Sequence, residues 1–261
     1  MYPFSLKDRV ALVTGAAQAI GFEIASALAE AGATVAINAR NEERVETALA
    51  AYQAAGVPVH GYACDVTDEQ AVLDMVAQIE KDLGSVDILV NNAGVISRSP
   101  MTEMETADFK HIMDVNLNAP FILSKAVLPA MVEKQRGKII NICSILSELG
   151  RGTVAGYVSS KGALKMLTKN IASEFGHLNI QCNGIGPGYI ETAMTAPLRE
   201  RQPDGSRHPF DAFVARRTPA ERWGTVQDLR GPAVFLASSA SDFVNGQILY
   251  VDGGLLATIG K

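Results

Sequence analysis

Seven short apolar runs alternate with longer amphipathic stretches in this chain, and that alternation admits few folds. The runs occupy residues 10–13, 34–39, 57–63, 86–90, 138–143, 180–185 and 247–251. Helical patterns lie between them at about 19–31, 42–55, 68–83, 106–134 and 155–175. Strand, helix and strand in succession make a crossover unit whose strands run parallel, with helices on both faces of the sheet. Parallel strands are buried on both sides and read as near-continuous apolar runs, as Val10-Ala11-Leu12-Val13 does. The pattern predicts an α/β chain built on a seven-stranded parallel sheet.

No linker, repeat or low-complexity segment divides the 261 residues, so 1–261 reads as a single domain, a normal length for one continuous α/β sheet. One stretch breaks the rhythm. Residues 186–225 hold five prolines and the polar run Gln202-Pro203-Asp204-Gly205-Ser206-Arg207-His208-Pro209. An insertion after a late strand falls at the carboxyl edge of the sheet, where ligands bind. We expect a substrate lid with short helices at about 187–225; the competing reading is a surface excursion.

A net charge of −5 offers no basic footprint for nucleic acid or an anionic membrane. No uninterrupted apolar run reaches the roughly 18 residues of a membrane span, and residues 1–9 lack the pattern of a signal peptide. Three widely spaced cysteines, Cys64, Cys143 and Cys182, fit buried thiols in a reducing compartment. The expected location is cytoplasmic. The four histidines show no metal-ligand spacing.

The chemistry concentrates in Tyr157-Val158-Ser159-Ser160-Lys161, with Ser144 thirteen residues before the tyrosine. Positions i and i+4 share a helix face, so Tyr157 and Lys161 point the same way. A phenol with a pKa of about 10 is a poor base near neutral pH, and a nearby ammonium favours its ionised form. Upstream, Thr14-Gly15-Ala16-Ala17-Gln18-Ala19-Ile20-Gly21 joins the first strand to the first helix. Small residues there let the backbone approach a pyrophosphate, and the helix N-terminus supplies amide donors.

Those segments, with Asn91-Asn92-Ala93-Gly94 and Pro187-Gly188, resemble the short-chain dehydrogenase/reductase family over essentially the whole chain. The resemblance implies a Rossmann-like, doubly wound sheet and a nicotinamide dinucleotide held by Gly15, Gln18, Ala19, Ile20 and Gly21. It places Asp65 and Val66 beside the adenine and Asn92, Ala93 and Gly94 at the adenosine ribose. It gives Lys161 the nicotinamide ribose, beside Tyr157, and Pro187, Gly188, Ile190 and Thr192 the nicotinamide end. It also implies a catalytic set of Asn116, Ser144, Tyr157 and Lys161, in which Asn116 anchors a proton-relay water through a helix kink; Asn118 is the nearby competitor. Ala19 departs from the family's usual glycine. Asp65-Val66-Thr67-Asp68 also reads as a helix cap. The second strand ends Asn38-Ala39-Arg40, with Ala39 where an NAD site places a carboxylate. Arg40 can pair with a 2′-phosphate, so NADP(H) is expected over NAD(H); the bland alternative is an arginine on a surface turn.

Finer segments, among them 142–151, 165–174, 182–190 and 205–210, resemble the gluconate 5-dehydrogenase branch of the family, which interconverts D-gluconate and 5-keto-D-gluconate. A sugar acid needs a cation and polar groups. Arg98, Glu148 and Arg151, with Ser144 and Tyr157, are the candidates for substrate binding, and each of the three charged residues also reads as an ordinary surface or loop-pinning charge. Rival functions are reduction of another carbonyl, such as a 3-oxoacyl thioester or a different keto sugar, or a non-catalytic NADP(H)-binding sensor. Apolar residues on more than one face of the long helices, including Phe121, Leu123, Val127, Met131, Leu164, Leu167 and Ile171, together with the resemblance, imply a homotetramer.

Overall fold

The computed structural model describes residues 2–259. Seven strands form one parallel sheet: β1 (Val10–Thr14), β2 (Thr34–Ala39), β3 (His60–Ala63), β4 (Ile88–Asn91), β5 (Gly137–Ile142), β6 (Ile180–Pro187) and β7 (Ile248–Val251). Their spatial order is β3-β2-β1-β4-β5-β6-β7. Every neighbouring pair is parallel. The order reverses between β1 and β4, and ligands bind at such a switch point, outside the carboxyl ends of the strands.

The sheet matches the predicted α/β architecture, with a core on each face. Helices α1 (Ala19–Glu30) and α2 (Glu42–Ala54) contribute Ile24, Leu28 and Tyr52 to one core. Helices α3 (Glu69–Leu83), α4 (Thr106–Met113), α5 (Ala119–Lys134) and α6 (Ala155–Phe175) follow in the chain. Met75, Ile79, Leu123, Met131 and Ile171, from α3, α5 and α6, build the opposite core. β1, β4, β5 and β6 are buried at every position, as two-sided coverage demands.

Four differences from the sequence reading have local causes. The expected strand 57–63 begins at His60, because the Val57 N–H closes the end of α2 on the Tyr52 carbonyl at 2.9 Å and Pro58 has no N–H to give. The expected helix 106–134 is interrupted by a π-turn over Asp114–Asn118, with the Ala119 N–H reaching back to the Asp114 carbonyl. Pro120 cannot donate to the carbonyl four residues earlier, and the helix opens by one residue there. An unexpected helix, Arg230–Ala237, packs Leu236 and Ala237 into the first core; Gly231 and Pro232 hid it, although proline is tolerated in a first turn. Finally, Thr106–Lys134 is, among the described residues, the one stretch long and apolar enough to cross a membrane. It is a core helix here: Leu123, Val127 and Met131 pack under the sheet.

The segment from 187 to 225 carries a short 3-10 turn, Ala193–Leu198, and helix α7, Pro209–Arg217. The helix Arg230–Ala237 is α8. The segment's ends meet where Ile190 bridges Gly224.

Candidate active site

The carboxyl ends of β1, β4, β5 and β6 open into a cleft of about 680 Å³, the size of a ligand site. Its floor begins at the turn after β1. Gly15 has φ +60, and a Cβ on it would lie 2.8 Å from the Ala93 Cα. A Cβ on Gly21 would sit 2.5 Å from both the Gly15 carbonyl and Asn92 Nδ2. The backbone therefore closes on itself only with glycine at both places. Asn92 Nδ2 donates to the Thr14 and Gly15 carbonyls at 2.9 and 3.0 Å, and Thr14 Oγ1 accepts from the Asn92 and Ala93 N–H groups. The two turns expected to hold the dinucleotide are thus one hydrogen-bonded unit. Gln18 precedes α1 without a side-chain cap, so the first-turn amides face the cleft free for an anion. Ala19 holds φ +52, a left-handed angle that costs an alanine about 1 kcal/mol.

At the other end, Ala39 is buried and contributes no carboxylate. Arg40 Nε donates to Asp65 Oδ2 at 3.1 Å, and Thr67 donates to Asp65 Oδ1 from both its N–H and its hydroxyl. The Thr67 bonds and the Arg40 charge hold the Asp65 carboxyl below its ordinary range. Asp68, not Asp65, caps α3. Arg44 joins Arg40 in the cleft wall; it sits in the first turn of α2, its N–H capped by Asn41, and no motif in the sequence singled it out. All the residues expected to bind the dinucleotide, from Gly15 through Val66 and Gly94 to Thr192, line this cleft. A narrow glycine cradle under an uncapped helix N-terminus fits the pyrophosphate of a nicotinamide dinucleotide, with Arg40 and Arg44 at the far end of the cleft.

Ser144, Tyr157 and Lys161 meet where β5 ends. Ser144 begins the turn Ile145–Ser147, its Oγ accepting from the Leu146 N–H at 3.1 Å. Lys161 Nζ donates to the Ile142 carbonyl at 2.7 Å and lies 5.6 Å from the Tyr157 ring centre. Asn116, in the π-turn, is fully buried. Its Oδ1 accepts from the Val95 N–H at 2.8 Å, and its Nδ2 donates to the Val95 carbonyl and to Ser160 Oγ. Ser160 Oγ in turn donates to the Tyr157 carbonyl. Asn116 therefore lies behind the cleft wall and ties the strand-end loop to α6. Asn118 instead donates to Asp114 on the exposed side. The expected lowering of the phenol by Lys161 is not what the structure shows. Burial pushes the Tyr157 phenol up, against a downward pull from its hydrogen bond to Ser144. Burial also brings the Lys161 ammonium down to about 8.

Of the residues expected to touch substrate, Arg98 and Arg151 line the cleft and Glu148 does not. Tyr250 Oη donates to Glu148 at 2.6 Å and Lys165 Nζ donates to the same oxygen. Those bonds hold its carboxyl below its usual range. Glu148 pins the Ser144 turn to α6 and β7. His111 and Tyr189 also line the cleft; scattered single residues gave no signal for them.

Residues 9–203 match the short chain dehydrogenase family. The chain is 51% identical to the 2-dehydro-3-deoxy-D-gluconate 5-dehydrogenase of Formosa agariphila, across 99% of this chain and 96% of that protein. Among solved structures, the 2-keto-3-deoxy-D-gluconate dehydrogenase of Streptococcus agalactiae is 63% identical, covers 99% of this chain and 97% of its own, and superposes with a TM-score of 0.87. The gluconate 5-dehydrogenase of Burkholderia cenocepacia, solved with NADP and tartrate, is 43% identical with a TM-score of 0.91 over 98% of each chain. With its sheet order, its two hydrogen-bonded glycine turns and the convergence of Ser144, Tyr157 and Lys161, this chain belongs to the short-chain dehydrogenase family.

Proposed function

We propose that this protein is an oxidoreductase that transfers hydride between NADP(H) and a sugar acid, with D-gluconate and 5-keto-D-gluconate as the pair. The observation that carries the substrate class is a pair of unneutralised arginines. Arg98 and Arg151 line the cleft beside Tyr157, and neither has an ion pair or a side-chain hydrogen bond among the described residues. The acids in the same wall are already engaged, Asp65 by Arg40 and Glu191 by Arg199. Ser99 N–H donates to the Thr153 carbonyl at 2.8 Å, which joins the two arginine-bearing loops. In a chain of net charge −5, a cationic mouth favours an anionic substrate.

When bound, the dinucleotide would supply the hydride in reduction and accept it in oxidation. Ser144 Oγ donates a hydrogen bond to the reacting oxygen. Tyr157 Oη gives its proton to that oxygen in reduction and takes one from the hydroxyl in oxidation. Its raised phenol keeps the proton until the oxygen becomes basic. Lys161 brings positive charge to this end of the cleft, and Asn116 holds α6 and the Val95 loop in register. Arg40 and Arg44, with Ala39 in place of an acid, support NADP(H) over NAD(H).

A second reading has its own support. The relatives at 51% and 63% identity bear the name of the 2-keto-3-deoxy sugar acid. That compound shares a C1 carboxylate and a C5 carbinol with gluconate, so the same residues would serve it. L-Sorbose is the neutral counterpart of 5-keto-D-gluconate, with a hydroxymethyl group in place of the carboxylate. The expected result is a kcat/KM for 5-keto-D-gluconate at least tenfold above that for L-sorbose, with the difference shrinking in Arg98→Ala or Arg151→Met. Equal use of both compounds sinks the sugar-acid reading; preference for the 2-keto-3-deoxy acid over gluconate, in oxidation, selects the second.

Segment 187–225 is read as a lid, since Tyr189, Ile190 and Thr192 line the cleft and Phe210 and Trp223 pack on Tyr189. For assembly we infer a homotetramer. The helix faces predicted to be free shrink in the structure: Leu123, Val127, Met131, Leu164 and Ile171 are buried. Phe121 on α5 and Met166 on α6 remain, 53% and 59% exposed. Light scattering that gives a monomer at micromolar concentration contradicts the assembly. The three cysteines are free and buried, which supports a reducing, cytoplasmic setting.

A further inference from the structure

Arg151 reaches the cleft from residues 148–154, the stretch between the Ile145–Ser147 turn and α6, which has no regular secondary structure. A long side chain on such a loop loses rotamer entropy when a ligand fixes it. Here it is fixed in advance. The Arg151 guanidinium carbon lies 4.6 Å from the centre of the Phe210 ring and 6.0 Å from the Tyr189 ring. Phe210 belongs to α7, some sixty residues further along the chain. It meets Tyr189 edge to face, with centres 5.4 Å apart and planes at 86°, and contacts Trp223 at 6.1 Å. The ring is itself held. His208 Nδ1 accepts from the Phe210 N–H at 3.1 Å and so caps the first turn of α7. Trp223 Nε1 donates to Asp211, one residue beyond Phe210, at 2.9 Å.

We propose that Phe210 is a positioning residue for substrate: its ring face sets the plane of the Arg151 guanidinium so that the N–H edges are presented to a carboxylate in the cleft. An arginine stacked on a ring has one face covered, and its donors point outward in the guanidinium plane, the geometry that grips a carboxylate with two hydrogen bonds. The stack also places α7 in the substrate site through Arg151, although Phe210 does not line the cleft itself. The inference rests on the sugar-acid reading above and deepens it.

The test compares Phe210→Leu, Phe210→Tyr and Arg151→Met with the wild type as NADPH-dependent reductases of 5-keto-D-gluconate and L-sorbose. Where L-sorbose is not turned over, its inhibition constant against 5-keto-D-gluconate serves. Phe210→Leu keeps an apolar side chain and removes the ring face. It should raise KM for 5-keto-D-gluconate by about three- to tenfold, the range of an exposed to partly buried cation–π contact. It should leave kcat within about twofold and leave KM for NADPH and the L-sorbose constant unchanged. Phe210→Tyr should restore wild-type values. A Phe210→Leu enzyme with unchanged KM for the acid, or with equal losses for acid and neutral compound, overturns the inference. If Phe210→Leu does not fold, wild-type acid preference in Phe210→Met overturns it in the same way, and a raised acid KM there upholds it. If Arg151→Met abolishes the acid preference while Phe210→Leu keeps it, the positioning role alone falls. If Arg151→Met leaves the acid preference intact, this inference falls while the sugar-acid reading stands on Arg98; if the wild type is inert toward both sugar acids, that reading falls and this inference with it.

Discussion

At the scale of single residues, the sequence announced the reactive groups but not their states. Ser144, Tyr157 and Lys161 were legible because helical spacing forces Tyr157 and Lys161 onto one face. Their ionisation was not legible: burial outweighs the neighbouring charge for the phenol, and a spacing carries no information on burial. For Glu148 the ligand and loop-pinning readings could not be separated for a similar reason, since nothing local shows that Tyr250, from the far end of the chain, takes its carboxylate. Ala19 was visible as a departure in the phosphate turn, while its left-handed φ of +52 appears only in the fold. Glycine there would relieve about 1 kcal/mol of strain but would also make the unfolded chain more flexible by about 0.4–1 kcal/mol. The two effects nearly cancel. Both act on folding and are shared by the free and bound enzyme, so Ala19→Gly should leave the melting temperature close to wild type and change the dissociation constant for NADPH by less than about tenfold, or 1.4 kcal/mol. Binding that tightens beyond tenfold shows that the methyl obstructs the phosphates.

At the scale of elements, strands and long helices were readable from apolar periodicity, and their ends were not. The ends depend on who accepts which hydrogen bond, as Val57 and Pro120 show. So do contacts at the end of the sheet away from the cleft. Asp87, only 4% exposed, accepts from the Val10 N–H at 3.0 Å and from Arg136 at 2.7 Å, with Lys134 at 3.4 Å and Arg9 at 3.9 Å. It thereby ties the starts of β1 and β4 to the turn between α5 and β5. Those bonds and cations hold its carboxyl below its usual range despite burial. Because the folded-state value is the lower one, the stabilisation is complete above the unfolded value of about 4 and is lost as pH falls through the folded value. Asp87→Asn should cost about 2–3 kcal/mol at pH 7, since it strips the cations of their carboxylate while they keep partial solvent. Urea unfolding should show the gap narrowing in acid, with kcat untouched at low denaturant. A gap that is the same at pH 3 and pH 7 contradicts the clamp.

At the scale of the whole molecule, the order of the strands explains why residues from four separate turns share one cleft. The reversal between β1 and β4 leaves a crevice at their carboxyl ends. The chain then lines it with the glycine turn after β1, Arg40 and Arg44 after β2, the Asn92–Gly94 turn after β4, and Ser144, Tyr157 and Lys161 after β5. This much was legible in advance, because the motifs occur in order along the chain. The aromatic packing of 187–225 on Arg151 was not, since it joins residues far apart in sequence through ring geometry alone. We propose that this architecture performs NADP(H)-linked redox chemistry at a sugar-acid carbon with Tyr157 as the proton donor. The measurement that bears on it most directly is steady-state oxidation of NADPH and of NADH with 5-keto-D-gluconate, for the wild type and Tyr157→Phe. The expected result is a higher kcat/KM with NADPH and a loss of about a hundredfold or more in Tyr157→Phe, with NADPH binding retained. A Tyr157→Phe enzyme as active as the wild type, or a wild type that binds NADPH and turns over neither this acid nor the 2-keto-3-deoxy acid, would contradict it.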